Sequence, residues 1–105
     1  MDNFKVIYKI LRALEQSMDY EQFSIFSISA QKMGITFERW EKLMIMMQDE
    51  GYIKGIVASR TFEVNNRHIR EPIYPAITIK GLEYLYENSM MAKAKSLLKA
   101  EEEIL

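Results

Sequence analysis

The chain has 105 residues, 49% of them apolar and 28% charged, a balance that fits one folded domain with a single core and excludes a disordered chain. It holds no cysteine and one histidine, His68, which excludes a disulfide scaffold, a thiol nucleophile and any cysteine-ligated zinc or iron–sulfur site. A net charge of −1 excludes the global basic field that announces many nucleic-acid binders.

Asp2 is an N-cap for a helix over residues 3–18, where Val6, Ile7, Ile10, Leu11, Leu14 and Met18 recur at helical spacing opposite Lys5, Lys9, Arg12 and Gln16. No signal peptide is read here, because an acid stands near the start and no continuous apolar stretch follows. The longest apolar run, Leu43-Met44-Ile45-Met46-Met47, is far too short to span a bilayer. A cytoplasmic protein without membrane contact is therefore expected. Phe23, Ile25 and Phe26 read as a short extended segment or an irregular apolar connection. Residues 27–34 read as one or two helical turns, capped by a serine and closed by Gly34 in the left-handed conformation.

Thr36 opens the clearest helix, with Phe37, Trp40, Leu43, Met44 and Met47 on its inner face and Gly51 just past its end. Residues 52–58, rich in β-branched and aromatic side chains, predict a strand. The polar stretch 59–71 predicts a loop with a turn at Asn65-Asn66, and 73–78 a second strand with Pro75 at an edge or near an end. Thr78 caps a further helix carrying Leu82, Tyr84, Leu85 and Tyr86, which Asn88-Ser89 is expected to break or kink. Tyr52, Tyr84 and Tyr86 are expected around the hairpin base. Helical spacing resumes with Met90, Met91, Ala94, Leu97, Leu98 and Ile104.

Three helices, a two-stranded hairpin and a returning helix make a mainly α chain with a small β-hairpin (α+β). The order is that of a winged helix-turn-helix with a C-terminal helical extension. Residues 1–88 form the winged-helix domain and 89–105 extend it. The turn Met33-Gly34-Ile35-Thr36, with its glycine, apolar plug and capping hydroxyl, sets two helices at a steep angle. Together with Glu50-Gly51-Tyr52-Ile53-Lys54-Gly55 and the segment from Ile77 to Leu85, it resembles the YjcQ-like winged-helix proteins, small bacterial and prophage chains. The resemblance covers most of the sequence. It implies a winged-helix fold and a phage or prophage origin, and it brings no activity and no functional residues.

Duplex DNA is the first partner this order suggests, with the third helix in the major groove and the hairpin along the phosphate backbone. Residues 54–80 carry five basic side chains against two acids, whereas residues 1–53 carry six against eight. Arg67, His68, Arg70 and Lys54 are the candidates for phosphate contact, and Arg39 and Lys42 for contact within the groove. The acids Glu38, Glu41, Asp49 and Glu50 oppose that reading, since each offsets a cation facing phosphate. The alternative is a protein-interaction module without DNA affinity, most simply a homodimer, using Ile45, Met46, Met90, Met91, Leu97 and Leu98. No catalytic constellation, metal-ligand cluster, cofactor motif or small-molecule substrate is evident. The lone histidine sits beside arginines, and no glycine-rich loop ends in the phosphate-binding lysine.

Overall fold

The computed structural model describes the backbone of residues 2–61 and 64–104, and the side chains of residues 2–60, 67–91 and 94. The Asp2 carboxylate accepts the Phe4 amide at 2.9 Å and opens α1 (Asn3–Gln16), which buries Val6, Ile10, Leu11 and Leu14 on one face. Helix α1 stops at Gln16, so Met18 falls in the 3-10 turn Ser17–Asp19 and is exposed rather than part of the buried face. The connection that follows contains no strand. A second 3-10 turn, Ile25–Ile28, buries Ile28 and leaves Ile25 and Phe26 exposed.

Ser29 then accepts the Lys32 amide at 3.1 Å, starting the single turn α2 (Ala30–Met33), and Gly34 ends it at φ +71°. Thr36 accepts the Arg39 amide at 3.2 Å and starts α3 (Phe37–Asp49). Both caps work as the sequence predicts, because each needs only a hydroxyl two or three residues ahead of an orphaned amide. Trp40, Leu43, Met44 and Met47 face the core, and the Trp40 indole N–H donates to the Ile28 carbonyl at 2.7 Å. Phe37 lies against Trp40 with ring centroids 5.6 Å apart but is itself exposed, contrary to its expected place on the inner face.

The β region departs most from expectation. Short strands β1 (Ile53–Lys54) and β4 (Ala76–Ile77) pair antiparallel at the base, Ile53 opposite Ile77. Beyond them β2 (Val57–Thr61) and β3 (Val64–Arg70) form a separate antiparallel ladder, so most of the stretch expected as a loop is strand. Asn65 and Asn66 lie within β3, and the connection between the strands falls at residues 62–63, outside the described residues. A core strand betrays itself by an apolar face; among the described side chains that face holds Ala58 and Ile69, which stand opposite each other in register. Gly55, at φ +94°, separates β1 from β2, and a Cβ there would lie 2.0 Å from the Tyr74 carbonyl oxygen. Pro75 directly precedes β4, as its missing amide requires.

Helix α4 (Ile79–Ile104) runs through Asn88 and Ser89 without a break, so residues 79–104 are one element across the expected 88/89 boundary. The two polar side chains find partners that leave the helix ladder intact. Asn88 Nδ2 donates to the Tyr84 carbonyl at 2.8 Å, and Ser89 Oγ pairs with Tyr8 Oη at 3.0 Å. The core joins α1, α3, Ile28, Met33, Ile53, Ile56 and Leu85. Tyr52 and Tyr84 pack at the hairpin base as a tilted pair with centroids 5.1 Å apart, whereas Tyr86 is exposed. Burial raises the Tyr84 phenol above its ordinary pKa, helped by Tyr52 and Asp2. No helix among the described residues is long and apolar enough to cross a membrane.

Candidate nucleic-acid interface

Helical geometry divides α3 into three strips. Trp40, Leu43, Met44 and Met47 enter the core; Glu38, Arg39, Lys42, Met46, Asp49 and Glu50 are exposed. Between these strips, Glu41, Ile45 and Gln48 lie at i, i+4 and i+7 and meet the β region. Gln48 is the anchor nearest the hairpin base: its side-chain amide donates to the Ile56 carbonyl at 2.7 Å and accepts the Ile56 amide at 2.9 Å. Glu41 holds the far end. Its Oε2 accepts the Ile69 amide at 3.0 Å and its Oε1 contacts His68 Nδ1 at 2.9 Å. Glu41 is only 7% exposed, so it is withdrawn from the solvent face on which the sequence placed it.

Asp49 is the third tie. Its carboxylate takes both terminal nitrogens of Arg67, a fork-to-fork arrangement that a lysine would not reproduce. The Arg67 hydrogen bond and charge hold the Asp49 carboxyl below its ordinary pKa, and Asp49 in return raises that of the guanidinium. Arg67 stands opposite Arg60 in the ladder, so Asp49 also supplies the counter-charge that two adjacent cations require.

These contacts redistribute the expected site residues. Arg67 and His68 do not form a loose phosphate-seeking tip: both lie in β3 and both engage acids of α3. Arg70 is exposed and its Nε donates to Ser59 Oγ at 3.0 Å across the hairpin. Arg39 is exposed and donates to Asn3 Oδ1 at 2.9 Å, which ties it to the start of α1. Lys42 and Lys54 are exposed, and among the described residues neither has an ion-pair partner. Arg60, which was not singled out from the sequence, joins them as an exposed cation of β2; strand register is the signal that would have found it.

The apolar candidates separate as well. Ile45 is 6% exposed and belongs to the strip under the hairpin, so it offers no surface to a partner. Met46 is 56% exposed in the middle of the solvent strip. Met90 and Met91 are exposed on α4, and the side chains of Leu97 and Leu98 lie outside the described residues. Among the described residues no group of three or more His, Asp or Glu side chains is placed to hold a metal ion.

The molecule defined by this geometry is a mainly helical chain whose third helix is braced by a β-hairpin and followed by one long helix. A family model described as YjcQ protein matches residues 8–104, and the chain belongs to the YjcQ family. No curated protein and no solved structure matches it.

Proposed function

We propose that α1–α3 and the β2–β3 hairpin form a winged helix-turn-helix unit that binds duplex DNA, as a small regulatory protein of bacterial or prophage type. One observation carries this reading: of the four acids on and just past α3 that weigh against it, the hairpin engages two. Glu41 is buried against Ile69, and Asp49 is neutralised by Arg67. Arg39 and Lys42 remain on the exposed strip beside Glu38, and Lys54, Arg60 and Arg70 are exposed cations of the β region. Backbone contacts then come from Lys54, Arg60 and Arg70, and groove contacts from Arg39 and Lys42.

The test is fluorescence anisotropy of a labelled mixed-sequence duplex at low and near-physiological salt. Binding should weaken steeply with salt. Lys54→Ala, at a backbone contact, should weaken it on every sequence and lower the salt slope by about one. No binding at roughly 100 µM protein in low salt, where non-specific binders still bind, overturns the reading.

A homodimer is the second element of the proposal, and α4 favours it. Ile79, Tyr86 and Met90 are exposed and spaced seven and four residues apart, which places them along one line of the helix. In a two-fold dimer the same patch of both copies meets, so a second copy of the chain covering this line presents two hairpins to one duplex. Light scattering after size exclusion should report a dimer that Met90→Glu converts to monomer. A monomeric wild type, or a dimer indifferent to Met90→Glu, removes this part of the proposal and leaves the DNA reading standing.

A further inference from the structure

Away from the exposed strip of α3, the structure carries an open apolar groove of about 710 Å³ that neither the DNA reading nor the dimer seam uses. Its volume lies in the range of sites that take small organic molecules. Ile25 and Phe26 line it from the 3-10 turn before α2, Phe37 and Trp40 from the first turns of α3, and Pro72 and Ile73 from the segment after β3. Trp40 is nearly buried and its indole is fixed by the Ile28 carbonyl, while Phe26 and Phe37 are more than half exposed. A contiguous apolar patch of this kind marks an interaction or ligand site more often than singly scattered apolar residues do.

Polarity defines the class of that occupant. Two polar residues line the groove, Ser29 and Glu71. The Ser29 hydroxyl oxygen is already engaged as the cap of α2, accepting the Lys32 amide. Glu71 is exposed, and among the described residues it has no ion-pair partner. No cation lines the groove, so nothing there neutralises an anionic ligand. The faces of the phenyl and indole rings carry negative electrostatic potential and attract cations, as the carboxylate does. We propose that this groove binds a small aromatic or otherwise apolar organic cation, its body against Phe26, Phe37 and Trp40 and its charge toward Glu71.

The proposal does not depend on DNA binding and is tested without it. Trp40 is the single tryptophan of the chain, so its emission reports occupancy directly. The probes are tetraphenylphosphonium and tetraphenylborate, ions of nearly the same shape and opposite charge. Saturable quenching by the cation, at least about fivefold tighter than by the anion, is expected from one partly exposed charge pair. Glu71→Gln should erase that preference, whereas Glu83→Gln, on α4 and outside the groove, should leave it intact. Phe26→Ala should weaken both ions alike, with an unchanged far-ultraviolet circular dichroism spectrum showing that the fold is kept. Equal affinity for the two ions, a preference that survives Glu71→Gln, or no saturation by about 1 mM overturns the assignment.

Discussion

Glu41 is the residue on which the bracing of the hairpin most depends. An amide on the free edge of a strand must find an acceptor once it is covered, and Glu41 meets the Ile69 amide at 3.0 Å while also holding His68. Glu41→Ala leaves that amide without its acceptor and should lower unfolding free energy by about 1–3 kcal/mol, read as a lower urea midpoint. Glu41→Gln keeps an acceptor oxygen and should cost clearly less. Equal losses for the two variants would mean that the carboxylate charge, not the hydrogen bond to Ile69, is what matters. Asp49 gives a different signature, in pH. Its pKa is lower in the folded protein than the ordinary value of 3.8, chiefly through the hydrogen bond from Arg67. Its contribution is therefore complete above the unfolded value and is lost as pH falls through the folded one. Asp49→Asn should lower stability slightly at neutral pH, only slightly because the pair is solvent-exposed, and the difference from the wild type should vanish as pH falls below about 4.

Among the elements, the start of α4 shows how a local signal and a tertiary constraint combine. Thr78 Oγ1 accepts the Gly81 amide at 3.1 Å as a helix cap, and the same hydroxyl donates to the Gly51 carbonyl just past α3. One side chain thus fixes the helix start and its position against the chain leaving α3. Gly81 follows three residues later, where a Cβ would fall 2.4 Å from the Tyr52 carbonyl oxygen and 2.6 Å from Ile77 Cγ1. Two effects compete at Gly81→Ala. Helix propensity favours alanine by about 1 kcal/mol, whereas overpacking against a backbone oxygen typically costs about 1–3 kcal/mol. The overlap involves main chain, which cannot turn aside, so a lower melting temperature is expected. A higher one would show that α4 can shift outward without loss.

At the scale of the molecule, α3 and the hairpin spend part of their charge on each other, through Asp49 with Arg67 and Glu41 with His68, and this shapes how the molecule would meet DNA. Arg67 serves Asp49 in the free protein, so its removal does not simply delete a phosphate contact. Asp49→Asn is the sharper experiment on the proposed function. It removes an acid from the exposed strip of α3 and releases a guanidinium beside Arg60, so affinity for a mixed-sequence duplex should rise in low salt. The slope of log affinity against log salt should steepen by about one. Unchanged binding in this variant would show that the hairpin end of α3 does not face the duplex. The molecule measures 61 × 33 × 23 Å, and α4 alone, at about 1.5 Å per residue, accounts for the greater part of the longest dimension.

The main helices and most of their starts were legible in the sequence, because a cap acts over two or three residues and an amphipathic face repeats every turn. Asp2, Thr36 and Thr78 cap where their positions predict, Ser29 is the serine that starts α2, and Gly34 takes the left-handed conformation that its place requires. Two kinds of fact were settled only by the tertiary structure. The extent of the hairpin was one: residues 59–71 lack the apolar alternation of a core strand, and the described side chains among them face water or α3 rather than a second layer. The fate of the charges was the other. Asp49 and Arg67 are 18 positions apart and Glu41 and His68 are 27 apart, separations at which no spacing rule pairs one side chain with another. Burial of Ile45 beside exposed Met46 follows from the same cause: the hairpin covers one side of α3, and only its docking decides which side that is.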